Sequence, residues 1–92
     1  MVFTYPAVFT EKPEGGYHVE FPDLEGIDVN EMELDRAIDE ARDAMNNWLL
    51  VEFEEDRPQI PTVTEKEEIE LAPNQTVRNI SVHFRFNTGW DE

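Results

Sequence analysis

The chain has 92 residues, no cysteine and a formal net charge of −15, with 22 Asp plus Glu against 7 Lys plus Arg. That length fits one small domain burying about 60–65% of its unfolded surface, so the core is thin and self-association would add to it. The absence of cysteine excludes disulfides and thiolate chemistry. The acidic balance argues against gripping nucleic-acid phosphates and favours a basic partner.

No run approaches the roughly 20 apolar residues of a membrane span. Met1 leads into a strand-like pattern rather than a basic segment and an apolar run. A soluble cytoplasmic protein is therefore expected, with no membrane contact.

Residues 2–10 read as a strand. Phe3, Tyr5, Ala7 and Phe9 share one face, and Val2, Thr4, Val8 and Thr10 the other. Both faces are fairly apolar, which predicts a central strand or a second buried face. Pro6 lacks an amide donor, so pairing beside it should break on one side. The loop 11–16 ends in Gly15-Gly16, which permits a tight reversal into an antiparallel hairpin. In residues 17–21, Tyr17, Val19 and Phe21 alternate with His18 and Glu20, again placing the large apolar groups on one face. Pro22 ends this ladder, Asp23 and Gly26 suit a turn, and Ile27-Asp28-Val29 fits a brief third strand.

A helix is expected over about 31–53. Asn30 and Glu33 match an N-cap with its reciprocal partner, and Glu31, Glu33 and Asp35 favour the positive end of the helix dipole. Leu34, Ala37, Ile38, Ala41, Met45, Trp48 and Leu49 form one apolar stripe. Ala37, Ala41 and Ala44 would let the helix lie close to a sheet. Arg36 and Glu40 are spaced for an ion pair. Asp56, Pro58 and Pro61 end the helix.

The connection that follows is acidic and proline-punctuated, with 65–70 as a solvated loop or an edge strand. Pro73-Asn74-Gln75 reads as a turn. Residues 76–86 alternate: Arg78, Ile80, Val82, Phe84 and Phe86 on one face, Val77, Asn79, Ser81, His83 and Arg85 on the other. Trp90 is placed to pack back from the tail. The expected fold is α+β, an antiparallel three- to four-stranded sheet with one main helix on one face, in the order β-β-β-α-β. The chain is read as one domain: a hairpin-and-helix core over 1–53, a connection over 54–75 and a last strand over 76–87.

Few residues carry chemistry. His18 and His83 have no second nitrogen or sulfur ligand nearby in sequence, so no zinc site is expected. Gly15-Gly16 alone is a hairpin turn, not a phosphate loop. Glu20 and Asp23 lie near a strand end, where paired carboxylates could hold Mg²⁺, yet an acid-rich chain places some acids together by chance. Asn74 and Asn79 begin glycosylation patterns that mean nothing without secretion. No catalytic residue, metal ligand or cofactor is expected.

One longer pattern is more specific. Tyr5-Pro6-Ala7-Val8-Phe9, then Glu14-Gly15-Gly16-Tyr17-His18-Val19-Glu20-Phe21-Pro22-Asp23-Leu24-Glu25-Gly26, then Leu34 followed by Ala37, Ala41 and Ala44, resembles the HicB-type antitoxin family. The family pattern runs roughly YPAV, a loop, GGYxVxFPDLPG, a spacer, then TLEEAxxxAxEAL. The match spans about residues 3–50. Glu25 stands in place of the usual proline, and Glu31-Met32 in place of the usual Gly-Asp before the helix.

The resemblance implies a partial ribonuclease-H-like sheet. It also implies an antitoxin that binds and neutralises a small basic mRNA-cleaving toxin of the HicA type, working as a dimer or tetramer. Under it, Tyr5, Pro6, Gly15, Gly16, Tyr17, Phe21, Pro22, Asp23, Leu24, Gly26, Ala37 and Ala41 are the structural motif. The acids Glu11, Glu14, Glu20, Asp23 and Glu25 are the candidates for partner contact. Many family members carry a C-terminal DNA-binding unit, and the last third of this chain lacks the pattern for one. Two alternatives stay open: a metal-dependent nuclease or RNA-binding protein of ribonuclease-H-like fold, using Glu20, Asp23 and a helix acid, or a HicB-like binding module without a toxin.

Overall fold

The computed structural model describes residues 1–84. Four strands, β1 (Val2–Glu11), β2 (Tyr17–Phe21), β3 (Leu24–Glu31) and β4 (Gln75–His83), form one antiparallel sheet in the order β3-β2-β1-β4. Helix α1 (Leu34–Phe53) crosses one face. The α+β architecture expected from the residue pattern is the one observed.

β1 is central because both of its faces are apolar. Tyr5, Ala7 and Phe9 are buried on the helix side, and Pro6 and Val8 are buried on the other. Its ladder with β4 runs unbroken from Val2 opposite His83 to Thr10 opposite Gln75. Its ladder with β2 covers only Val8 to Glu11. The break falls on the β2 side of Pro6, where a missing donor does least harm. The helix-side core gathers Tyr5, Phe9, Val19, Phe21, Leu24, Ile80 and Val82 under the stripe Ala37, Ala41, Met45 and Leu49. Phe3, Phe53 and Phe84 close one end, their ring centroids 5.5–5.7 Å apart.

The glycine pair has a second role beyond reversal. Gly15 and Gly16 both have positive φ, +103° and +89°. A Cβ on Gly16 would also lie 3.0 Å from the carbonyl oxygen of Glu31. The end of β3 thus passes against the hairpin turn, and only a residue without a side chain leaves it room.

Two local expectations are corrected. The third strand is eight residues long, not three, and the turn before it is Pro22-Asp23 alone. Gly26 belongs to β3, where it sits at φ +94° within a register irregularity opposite Val19 to Phe21. Asn30 is not the helix cap. β3 keeps pairing with β2 as far as Tyr17 opposite Glu31, which commits Asn30 to the ladder opposite His18. The helix starts at Leu34 with Glu33 as a cap that makes no side-chain bond, and Asp35 is the acid left in the first turn. Of the two readings of 65–70, the solvated loop is the one observed, with Lys66–Glu68 in a 3-10 turn that buries no residue. Last-strand pairing ends at His83, and Arg85, Phe86 and Trp90 lie outside the described residues.

Candidate functional site

The acids singled out for partner contact do not converge. Glu11 ends β1 and Glu14 lies in the β1–β2 loop, Asp23 lies in the β2–β3 turn and Glu25 follows it in β3 at the other end of β2, and Glu20 stands exposed on the sheet face away from α1. Asp23 is half-buried and engaged. Its Oδ2 accepts the Thr64 amide at 2.8 Å, and its Oδ1 accepts the Thr64 hydroxyl at 2.6 Å. Nearby, the Tyr5 hydroxyl donates to the Pro61 carbonyl. Burial, then the charge of Asp23, raises the Tyr5 phenol above its ordinary value, so it stays a donor. The two polar motif residues therefore fasten the connection to the sheet. Among the described residues, no three His, Asp or Glu side chains meet at metal-holding distance.

The outer face of β2 and β3 carries a polar chain. His18 Nε2 lies 2.7 Å from Asp28 Oδ1, Asn30 donates to that same oxygen at 3.1 Å, and Lys12 donates to Asn30 Oδ1 at 2.9 Å. These contacts lace the β1–β2 loop to β3 across β2. His83 is exposed opposite Val2 at the far end.

An open groove of about 580 Å³ runs between α1 and β3. Ile27, Ala44, Trp48 and Val51 give it apolar walls, and Glu52 lies at one end. Among the described residues, no Lys or Arg lines it. The Trp48 indole N–H donates to the Glu25 carbonyl at 2.9 Å, which fixes the ring in the groove wall. Residue patterning alone assigned Trp48 to the core stripe. The signal available was a helix whose apolar sector widens at its C-terminal half, where Leu50 and Val51 are added outside the stripe and are exposed.

Beyond the groove's other end, Glu31 at the end of β3 meets Glu40 and Asp43 of α1. The Glu40 carboxyl is raised above its ordinary value, first by a side-chain hydrogen bond with Glu31, then by the charge of Glu31, with Asp43 adding and Arg36 opposing. The expected Arg36–Glu40 support is thus outweighed by Glu31. A carboxyl raised in the folded state favours the fold at low pH, and that advantage is lost as pH rises through the folded pKa. Glu40→Gln, which keeps a donor for Glu31, is therefore expected to raise the Tm at neutral pH and to leave it nearly unchanged in acid. Added salt should shrink the neutral-pH difference. Thermal melts of both proteins across pH and salt check this; a Tm lowered by Glu40→Gln at neutral pH contradicts it.

The fold and groove define a small helix-backed antiparallel domain with an acidic surface. In fold it is similar to a chain of a toxin–antitoxin complex from Streptococcus pneumoniae, with a TM-score of 0.74 and 20% sequence identity over 90% of this chain and 70% of that one. No family model and no curated protein matches the chain. Among the described residues, no helix is long and apolar enough to cross a membrane.

Proposed function

We propose that the chain is a HicB-like antitoxin, an interaction protein without catalytic activity that binds and neutralises a small basic mRNA-cleaving toxin of the HicA type. The observation that carries this reading is a net charge of −15 on a fold shared with a chain of a toxin–antitoxin complex. Opposite charge steers encounter between such partners and makes association sensitive to salt. On this reading the chain acts in the cytoplasm as a dimer or tetramer. The exposed acids Glu11, Glu14, Glu20 and Glu25 steer the partner, while Asp23 serves the fold.

The test is to look for a short basic reading frame adjacent in the genome and to co-express its product with the chain, followed by capture and sizing at low and high salt. A complex that forms at low salt, weakens at high salt and suppresses mRNA cleavage is expected. The absence of any complex overturns the reading. So does Mg²⁺-dependent cleavage by the chain alone that is lost in Glu20→Gln.

A further inference from the structure

We propose that the groove between α1 and β3 receives a cationic amphipathic helix of a second protein. Its apolar side chains would sit on Trp48 and Val51, and its Lys or Arg side chains would face the acids at the two ends. This rests on the reading of the chain as the binder of a basic partner, and it names where that partner is held.

The apolar half of the match comes from the groove walls. Val51 is 62% exposed, a large aliphatic side chain left in water beside Ile27 and Ala44. The indole N–H of Trp48 is already satisfied by Glu25, so what the ring still offers a ligand is apolar surface. Covering these groups removes apolar area from water, the main driving term of association.

The charged half comes from what surrounds the walls. Glu52 stands at one end, and Glu31, Glu40 and Asp43 crowd together beyond the other. Their mutual repulsion is relieved by an arriving cation and worsened by an arriving acid. A second copy of this chain, itself at −15, is therefore the wrong occupant. Nucleic acid is excluded by the same sign.

The backbone argues for a helix over a strand. β3 is an edge strand, but Gly26 and the register irregularity break the regular row of donors and acceptors that an added strand needs. A helix laid side-chain-first into the groove has no such requirement.

The test uses the full chain carrying Trp90→Phe, which leaves Trp48 as the sole tryptophan reporter. The probe is a helical leucine–lysine peptide with all leucines on one face. Two comparison peptides replace its lysines with glutamate, or its leucines with serine. The leucine–lysine peptide is expected to shift Trp48 emission to shorter wavelength, saturably, and the comparison peptides to bind at least about tenfold more weakly. Val51→Lys should weaken the first peptide by about tenfold or more. Asn79→Lys, which makes the same charge change on the exposed face of β4, should weaken it by less than about threefold. Equal binding of the lysine–serine peptide, or equal effects of the two substitutions, overturns the proposal, because the whole protein's field would then suffice. Circular dichroism confirms that each variant is folded.

The two readings fail separately. If the basic neighbour is captured at full strength after Val51→Lys, the antitoxin reading stands and the groove falls. If no neighbour is captured while the peptide pattern holds, the groove stands and the antitoxin reading falls.

Discussion

Leu49→Ala is expected to cost about 2–5 kcal/mol of folding stability, the usual range for deleting a fully buried leucine side chain. Leu49 has 0% exposure and ends the row Ala37, Ala41, Met45, Leu49 that α1 turns toward the sheet. The two alanines permit close approach, so the larger side chains of Met45 and Leu49 must fill the space under the second half of the helix. Leu49 belongs to one continuous buried cluster with the inward side chains of the sheet, whose strands are held in register by their ladders, so a truncated side chain leaves space that the backbone does not readily close. A chain of this length holds only about 5–14 kcal/mol in total. The loss therefore corresponds to a Tm at least about 8 °C lower. Leu50→Ala is the internal control. Leu50 is the next residue but is 43% exposed, and its truncation should cost no more than about 0.5–1 kcal/mol. Denaturant melts of both variants check the pair; equal losses would mean that α1 presents a different face to the sheet.

That pair also shows what the residue pattern made legible. The helical repeat of Ala37, Ala41, Met45 and Leu49 and the alternation of Tyr5, Ala7 and Phe9 and of Ile80 and Val82 specify which sides meet. Together with hairpin-length connections they define a sheet backed by a helix. Boundaries were harder where two local preferences compete. Asn30 is a good cap by type, but it is also a ladder residue opposite His18, and the ladder prevails because β3 is held along its whole length by β2. Gly26 suits a turn and also a bulge, and Leu24 pairing with Phe21 leaves only the bulge. The α1–β3 groove was not legible, because it depends on how far the helix stands from an edge strand and not on any repeat in either. The partner of Asp23 was equally hidden: Thr64 lies 41 residues away in a stretch without periodicity.

Asp23→Ala is expected to release the connection between α1 and β4 before the rest of the fold unfolds. Among the described residues, that connection brings little to the core, with Ile60 as its one apolar group packed there. Its ends are tied by the Gln59 amide to Glu52, 2.9 Å, and by the Asn74 side chain to the Glu11 carbonyl, 3.0 Å. Between them, Tyr5 holds Pro61 and Asp23 holds Thr64 twice. Both Asp23 bonds end on a carboxylate, which makes them stronger than neutral ones. Removing the acceptor leaves a half-buried amide and hydroxyl on Thr64 without their partner, at a cost of about 2–3 kcal/mol. Asp23→Asn should lose less, because its remaining carbonyl oxygen can still accept one of the two. The loss should also be local. Amide exchange at Thr64 and protease cleavage within 54–74 should accelerate in Asp23→Ala while exchange in β1 and β4 changes much less. Tyr5→Phe removes the neighbouring tie and should couple to Asp23→Ala in a double-mutant cycle, since both act on one short segment. Uniform acceleration of exchange across the sheet would show that Asp23 supports the core itself. No acceleration at all would show that the connection is held by contacts other than this acid.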